Sequence, residues 1–183
     1  MKRLLLLALV VLIAGPAMAD TDAIARRLSS GEGVMVVAHR ACWNGAPENS
    51  VAAIEACVRL GVDMIELDVR NTSDGALVLL HDGTLDRTTD GTGPLSALRL
   101  EQVRALRLKD GGGGEAVLTE HQVPTLEEAL LAARGRIRVN LDLKVESEGE
   151  VMPLLDRPGV ADPGRVEVSG GPCSGRTGNA SLT

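Results

Sequence analysis

Two segments of the chain place acidic side chains at alternate positions, a spacing that suits a divalent cation. Glu66 and Asp68 lie two residues apart, and Asp142 lies in a similar run later in the chain. Residues two apart in a β-strand project from the same face. Buried carboxylates are costly unless a cation, a basic partner or a proton compensates them. Since carboxylate oxygens are ligands of Ca²⁺ and Mg²⁺, the predicted metal ligands are Glu66, Asp68 and Asp142.

Two other interpretations of these carboxylates are weaker. Each strand could simply have one solvated polar face, but two strands share the pattern. Zinc is disfavoured because the cysteine spacing matches no zinc site and only two histidines fall at strand ends.

Those two histidines lie where parallel α/β folds place their active sites. His39 precedes Arg40, and His81 precedes Asp82. Beside a cation, Arg40 and Lys144 would favour an anion such as phosphate. One imidazole could remove a proton from an attacking hydroxyl while the other gives a proton to the leaving oxygen. We predict catalytic roles for His39 and His81 and phosphate contacts for Arg40 and Lys144.

Strands must position these residues, and four apolar runs predict them. The runs cover residues 34–38, 62–69, 76–80 and 137–143, with a further candidate at 165–168. Helical spacing with a closing glycine follows the first run, and Thr125 with Glu128 forms a capping box before the fourth. Strands alternating with helices indicate a parallel α/β sheet. Residues 83–123 exceed what one crossover requires, so we interpret them as an insertion.

The amino-terminal residues and the composition indicate the compartment and exclude some partners. Two basic residues, an apolar run and a small-x-small site predict that residues 1–19 are a secretory signal. No later run approaches the roughly 20 apolar residues of a membrane span. We therefore expect a periplasmic or extracellular protein without a stable membrane span after signal cleavage. The formal charge of −6 and the single aromatic residue disfavour nucleic acid as a partner.

The three cysteines would lie in an oxidising compartment, where an odd number leaves one without a partner in the chain. A disulfide between Cys42 and Cys57 is one arrangement, which the spacing alone does not decide.

Six motifs, in order, resemble those of the glycerophosphodiester phosphodiesterases. They are His39-Arg40, Pro47-Glu48-Asn49-Ser50, Glu66-Leu67-Asp68, His81-Asp82 with Leu85-Asp86-Arg87-Thr88-Thr89, Pro124-Thr125-Leu126-Glu127-Glu128, and Asn140-Leu141-Asp142-Leu143-Lys144. The resemblance implies a TIM-type (β/α) barrel that hydrolyses glycerophosphodiesters to glycerol 3-phosphate and an alcohol. It implies a Ca²⁺ or Mg²⁺ ion held by the residues matching Glu66, Asp68 and Asp142. It also implies that the two histidines are the acid-base pair and that Arg40 and Lys144 contact phosphate.

The chain departs from that family in three ways. The family usually has glycine where this chain has Ala41, which would be strained if the position requires a positive φ. It usually has glutamate where this chain has Asp142, one methylene shorter, so the metal would shift or a water would fill the gap. A barrel of this type takes about 250 residues, and at least about 200, whereas this chain has 183.

The length therefore predicts an incomplete barrel with about four or five parallel strands. We assign residues 20–157 to the partial barrel and residues 158–183, rich in glycine and proline, to a divergent disordered tail. An open barrel edge would promote self-association. Two alternatives to the glycerophosphodiesterase stay open: a catalytically incompetent half barrel, and a phosphodiesterase that acts on another phospholipid head group. As an enzyme, the protein would have a small-molecule phosphodiester as its partner.

Overall fold

The computed structural model of the chain describes residues 33–144, 150–162 and 164–170. Its strands are β1 (Val37–Ala38), β2 (Met64–Asn71), β3 (Leu77–Leu79), β4 (Arg107–Lys109), β5 (Leu118–Gln122), β6 (Arg138–Leu143) and β7 (Val166–Gly170). Its α-helices are α1 (Val51–Leu60), α2 (Leu100–Arg104), α3 (Leu126–Ala133) and α4 (Met152–Leu155), and a 3₁₀ turn covers Leu95–Ala97. The predicted signal sequence, residues 1–19, lies outside the described residues.

Parallel strands form the main sheet in the order β1-β2-β6-β7. In the register of β2 with β6, Glu66 lies opposite Asn140 and Asp68 lies opposite Asp142. The polar positions of the two strands therefore share one face of the sheet. The parallel α/β architecture predicted from the alternating elements is confirmed for these four strands.

Strand β3 is an exception, because it runs antiparallel to β2. The prediction that the third apolar run joins the sheet in parallel is wrong. Only residues 72–76 separate β2 from β3, and a parallel return needs a crossover of a dozen or more residues. The short connection therefore forces a hairpin.

The first predicted strand is shorter and more exposed than expected. A continuous apolar run such as 34–38 predicts a strand buried on both faces, but Val34 is 83% exposed and Val36 is 55% exposed, so that prediction is wrong. Among the described residues β1 pairs with β2 alone, which leaves its other edge without a neighbouring strand.

Helix α1 packs one face on the sheet and anchors the loop that follows β1. Ser50 Oγ accepts a hydrogen bond from the Ala53 N–H at 3.1 Å and caps the first turn. The helix ends at Gly61, whose φ of 69° suits a glycine. A disulfide joins Cys57, in the buried face of α1, to Cys42 in the loop.

The described residues form two apolar clusters. The larger contains buried side chains of β2 and β6 packed against α1 and α3, among them Ile54, Ile65, Leu67, Leu130 and Leu141. The smaller is built largely by the predicted insertion at 83–123, with Leu85, Leu95, Val103 and Leu108. In this insertion β4 and β5 form a separate antiparallel pair.

Strand β7 lies within the segment predicted to be a disordered tail. Val166–Gly170 pairs in parallel with β6, and its apolar residues alternate as in the strand candidate at 165–168. The structure thus differs from the predicted disorder over 158–162 and 164–170, and residues 171–183 lie outside the described residues. No helix in the described part of the chain is both long enough and apolar enough to cross a membrane.

Candidate active site

Three carboxylates lie together on one face of the sheet. Oxygen atoms of Glu66, Asp68 and Asp142 all lie within 4.8 Å of one another. Asp68 is only 1% exposed, and the other two side chains are half-buried. The β2–β6 register produces this grouping, because Asp68 pairs with Asp142 and Glu66 lies two residues earlier on the same face.

The surroundings of Asp68 fit a cation. Its Oδ2 accepts a hydrogen bond from Asn49 Nδ2 at 2.8 Å, whereas its Oδ1 is buried and accepts none from the described residues. Lys144 Nζ lies 3.3 Å from that Oδ1 and also bonds to Asp142. The Lys144 ammonium offsets part of the negative charge, but it is shared among three clustered carboxylates, so a further cation would stabilise them. Three carboxylates are a donor set that suits Ca²⁺ or Mg²⁺.

Burial and the negative charge of this cluster shift two pKa values. Burial raises the pKa of Glu66, and Asp68 and Asp142 raise it further, against a 2.9 Å hydrogen bond from the Arg40 backbone N–H. Burial disfavours the charged form of Lys144, but the hydrogen bond to Asp142 and the charge of Asp68 outweigh it, so the pKa of Lys144 is raised. The Lys144 shift reflects the negative charge of Asp142 and Asp68, whereas the Glu66 shift reflects mainly its burial.

The loop after β1 holds His39 and Arg40 beside the carboxylates. His39 Nε2 lies 4.0 Å from Glu66 Oε2, and the His39 side chain is 66% exposed. Arg40 Nε lies 3.6 Å from Asp68 Oδ2. Arg40 and Ala41 have φ angles of 57° and 61°, so the backbone is left-handed at both. Ala41 therefore has the positive φ at which a residue other than glycine was predicted to be strained.

The β2–β3 hairpin brings His81 to the same end of the sheet. The Leu80 N–H donates to the Asp68 carbonyl oxygen at 3.1 Å, and His81 follows directly. His81 Nδ1 lies 2.7 Å from Asp82 Oδ1. Hydrogen bonds from Arg87, opposed by burial and assisted by His81, hold the pKa of the Asp82 carboxyl well below its usual range. An ionised carboxylate only accepts hydrogen bonds, so the His81 Nδ1 carries the proton in this contact and Nε2 does not take part in it.

The turn at Pro47–Ser50 contributes Glu48 and Asn49, two residues for which the sequence predicted no role. Glu48 is 4% exposed and accepts hydrogen bonds from Arg40 Nη1 at 3.2 and 3.3 Å. Asn49 holds Asp68 twice, since it donates to the carboxylate and accepts from the Asp68 backbone N–H at 3.0 Å. Only the family motif pointed to this turn, because its partners lie on other elements.

An open groove borders His39. Its lining includes Trp43, Leu60 and Ala116. Trp43 is 43% exposed, and its indole N–H donates to the His39 carbonyl oxygen at 3.1 Å. The groove thus offers an apolar wall next to a candidate catalytic imidazole.

Comparison with known proteins gives a consistent family. Residues 39–158 match the model of the glycerophosphoryl diester phosphodiesterase family. The chain is 41% identical over 112 residues to glycerophosphodiester phosphodiesterase 1 of Mus musculus, a match that covers 61% of this chain and 34% of the relative.

Two solved structures are also similar. The crystal structure of glycerophosphodiester phosphodiesterase from Agrobacterium tumefaciens has a TM-score of 0.67 and 34% identity, and the match covers 75% of this chain and 58% of that chain. The structure of an Oleispira antarctica phosphodiesterase in complex with the product sn-glycerol-3-phosphate has a TM-score of 0.55 and 34% identity, with 61% and 44% covered. The chain therefore spans between about a third and three-fifths of the length of these relatives.

Proposed function

Because the chain belongs to the glycerophosphoryl diester phosphodiesterase family, and has part of its TIM-type barrel fold, we propose that it hydrolyses glycerophosphodiesters to glycerol 3-phosphate and an alcohol. The observation that carries this proposal is the convergence of Glu66, Asp68 and Asp142 beside two histidines. The product bound to the Oleispira antarctica enzyme supports the assignment of the product.

Glu66, Asp68 and Asp142 would hold a divalent cation, Ca²⁺ or Mg²⁺. When bound, such an ion supplies positive charge that stabilises the negative charge developing on a phosphoryl oxygen. The Lys144 ammonium lies 3.3 Å from Asp68 Oδ1, but three carboxylates share the site, and their excess negative charge supports this requirement. Asn49 would keep the other Asp68 oxygen in place.

The two imidazoles would move the protons of the reaction. His81 donates from Nδ1 to Asp82, which leaves Nε2 to exchange a proton with the substrate. The exposed His39 lies on the Glu66 side of the site and would serve as the second group. Such positioned acid-base groups contribute typically about 10²–10⁴-fold each.

Arg40 and Lys144 would bind the phosphate. The Arg40 guanidinium lies beside the cluster, with its Nε 3.6 Å from Asp68 Oδ2. The Lys144 ammonium lies beside the cluster, with its Nζ 3.3 Å from Asp68 Oδ1. Both cations would favour an anionic substrate over a neutral one.

A direct test is turnover of glycerophosphocholine by purified residues 20–183. We expect release of glycerol 3-phosphate with Ca²⁺ or Mg²⁺, loss of release with a chelator, and recovery when the cation is restored. Glu66→Gln should show no turnover. The control is Glu101→Gln, since Glu101 is an exposed residue of α2, and it should turn over the substrate as fast as the unsubstituted protein. A folded protein that shows no turnover with either cation would contradict the proposal and favour the incompetent half barrel.

The groove beside His39 favours a second candidate substrate. An apolar wall with an exposed Trp43 suits a leaving alcohol that has an apolar portion, as in a lysophospholipid. Competition between glycerophosphocholine and a lysophospholipid decides between them, because the preferred substrate suppresses turnover of the other. Trp43→Ala should weaken the binding of the lysophospholipid and leave the binding of glycerophosphocholine unchanged.

We also propose that the protein is exported. Residues 1–19 have the pattern of a secretory signal, and the Cys42–Cys57 disulfide suits an oxidising compartment. Sequencing of the exported protein should give an amino terminus at Asp20. Protein that stays in the cytoplasm with Met1 or the whole leader intact would contradict export.

A further inference from the structure

The guanidinium of Arg87 is fully occupied by protein acceptors. Its Nε and Nη2 donate to the two oxygens of Asp82 at 2.7 and 3.0 Å. Its Nη1 and Nη2 donate to the two oxygens of Glu48 at 3.0 and 2.7 Å, and Nη1 also donates to the Gly112 carbonyl oxygen at 2.6 Å. A guanidinium has five N–H donors, and these contacts use all of them. Arg87 therefore has no donor left for a substrate phosphate.

Both carboxylates that Arg87 holds also hold a predicted site residue. Asp82 accepts from His81 Nδ1 at 2.7 Å, and Glu48 accepts from Arg40 Nη1 at 3.2 Å. Glu48 belongs to the loop after β1, whereas Asp82 and Arg87 belong to the segment after β3. The guanidinium thus joins the two loops that supply the histidines and links His81 to Arg40 through three charged side chains, Asp82, Arg87 and Glu48.

The backbone of Arg87 is fixed as well. The Gly114 N–H donates to the Arg87 carbonyl oxygen at 2.6 Å. A Cβ atom at Gly113 would collide with that same carbonyl, so this close approach requires glycine. Arg87 is therefore held at its carbonyl as well as at its side chain.

We propose that Arg87 is a positioning residue that fixes the His81 imidazole and the Arg40 guanidinium relative to each other, through Asp82 and Glu48. The inference rests on the hydrolase function proposed above. Arg87 contacts neither the carboxylate cluster nor, for lack of a free donor, the substrate, so it acts only through His81 and Arg40.

Lysine cannot replace arginine in this role. A guanidinium presents its donors in a planar fork that matches two carboxylates at once, whereas an ammonium is a single point of charge. Arg87→Lys keeps the positive charge between Glu48 and Asp82 but loses the geometry that aligns them.

The test compares Arg87→Lys with Arg136→Lys. Arg136 makes a similar two-bond contact to Glu55 at 2.6 and 2.7 Å, but it precedes β6 and lies at the opposite end of that strand from Asp142. For each variant we would measure the melting temperature, kcat and KM for glycerophosphocholine, the Ca²⁺ affinity by calorimetry, and the ring nitrogen signals of His81 by ¹⁵N NMR.

We expect Arg87→Lys to lower kcat by about 10- to 100-fold, because small displacements of positioned groups have effects of this size. Ca²⁺ affinity should change by less than about threefold, because Arg87 does not contact the carboxylate cluster, whereas KM should rise, because Arg40, which Arg87 orients through Glu48, would contact the phosphate. His81 should change from a single Nδ1–H tautomer to a mixture of tautomers. Arg136→Lys should alter none of these quantities.

Two results would overturn the proposal: a kcat of Arg87→Lys equal to that of Arg136→Lys, or an unchanged His81 tautomer. If the unsubstituted protein shows no turnover, the proposed function fails, and the His81 signals alone still decide whether Arg87 positions that ring. If Arg87→Lys does not fold, Glu48→Gln provides the same readouts, since it keeps the side-chain size but offers the guanidinium one acceptor oxygen instead of two.

Discussion

At the scale of single residues, Ala41 combines a buried methyl group with a left-handed backbone. Its φ is 61° and it is 2% exposed. For a residue other than glycine this conformation costs about 1–2 kcal/mol, while burial of the methyl group returns about 0.8 kcal/mol. We therefore expect Ala41→Gly to leave the free energy of unfolding unchanged or to raise it by up to about 1 kcal/mol.

The control for this substitution is Ala53→Gly, which removes an equally buried methyl group from α1. Here glycine should lower stability by about 2 kcal/mol, because the helix propensity and the methyl burial are both lost. Urea unfolding of both variants gives the comparison. Equal losses in the two variants would show that Ala41 is not strained.

Asp142 is the second residue at which the chain departs from its family. If it is a metal ligand with a shortened side chain, Asp142→Glu should keep or increase Ca²⁺ affinity, whereas Asp142→Asn should weaken binding by removing the charge. Calorimetric titration of both variants measures this. A large loss of affinity in Asp142→Glu would show that the site is built for the shorter side chain.

The sequence could predict the residues of the cluster but not how they are supported. Alternation in two strands is enough to place Glu66, Asp68 and Asp142 on shared faces. The contact between Glu48 and Arg87 joins residues 39 positions apart, and no local pattern predicts such a pair. This ion pair forms because the fold places the two loops side by side.

At the scale of elements, the capping box of α3 is a predicted feature that the structure confirms. Thr125 Oγ1 accepts from the Glu128 N–H, and Glu128 Oε2 accepts from the Thr125 N–H at 2.9 Å. Replacement of such a cap with alanine costs about 1 kcal/mol. We expect Thr125→Ala to lower the free energy of unfolding by that amount, as measured by urea denaturation.

The same cap predicts a pH dependence of stability. Burial raises the pKa of Glu128, but the Thr125 N–H and Arg104 outweigh it, so this pKa is lowered from 4.5. Because the pKa of Glu128 is lower in the folded protein than in the unfolded chain, ionised Glu128 stabilises the fold fully above its unfolded-state pKa. This stabilisation is lost as the pH falls through the folded-state pKa. Stability of the unsubstituted protein should therefore decrease below about pH 4.5. Glu128→Gln should show a smaller decrease, and an identical pH profile would contradict the assignment.

Strand β3 shows which part of the element order could not be read from its composition. Its apolar run is typical of a buried strand, and Val78 and Leu79 are buried. The direction of the strand depends instead on the length of its connection to β2. The hairpin also has a consequence for the site, because it returns the chain beside Asp68 and so delivers His81. A parallel strand would have required a longer connection before His81.

At the scale of the whole molecule, the segment that leads into β1, at one edge of the sheet, is apolar and exposed. Val34 and Val36 are 83% and 55% exposed, and unpaired strand edges favour association. We expect concentration-dependent self-association in sedimentation experiments. The double substitution Val34→Lys with Val36→Lys should reduce it, whereas Leu60→Lys, at the end of α1 and 73% exposed, should not. A monomer at all concentrations would contradict this expectation.

Calorimetric titration with Ca²⁺ and Mg²⁺ measures whether Glu66, Asp68 and Asp142 together hold one divalent cation. We predict one site per chain and a loss of at least about tenfold in affinity for each of Glu66→Gln, Asp68→Asn and Asp142→Asn, with Glu101→Gln unchanged. Binding that is absent in the unsubstituted protein, or that is equally strong in all four variants, would contradict the account.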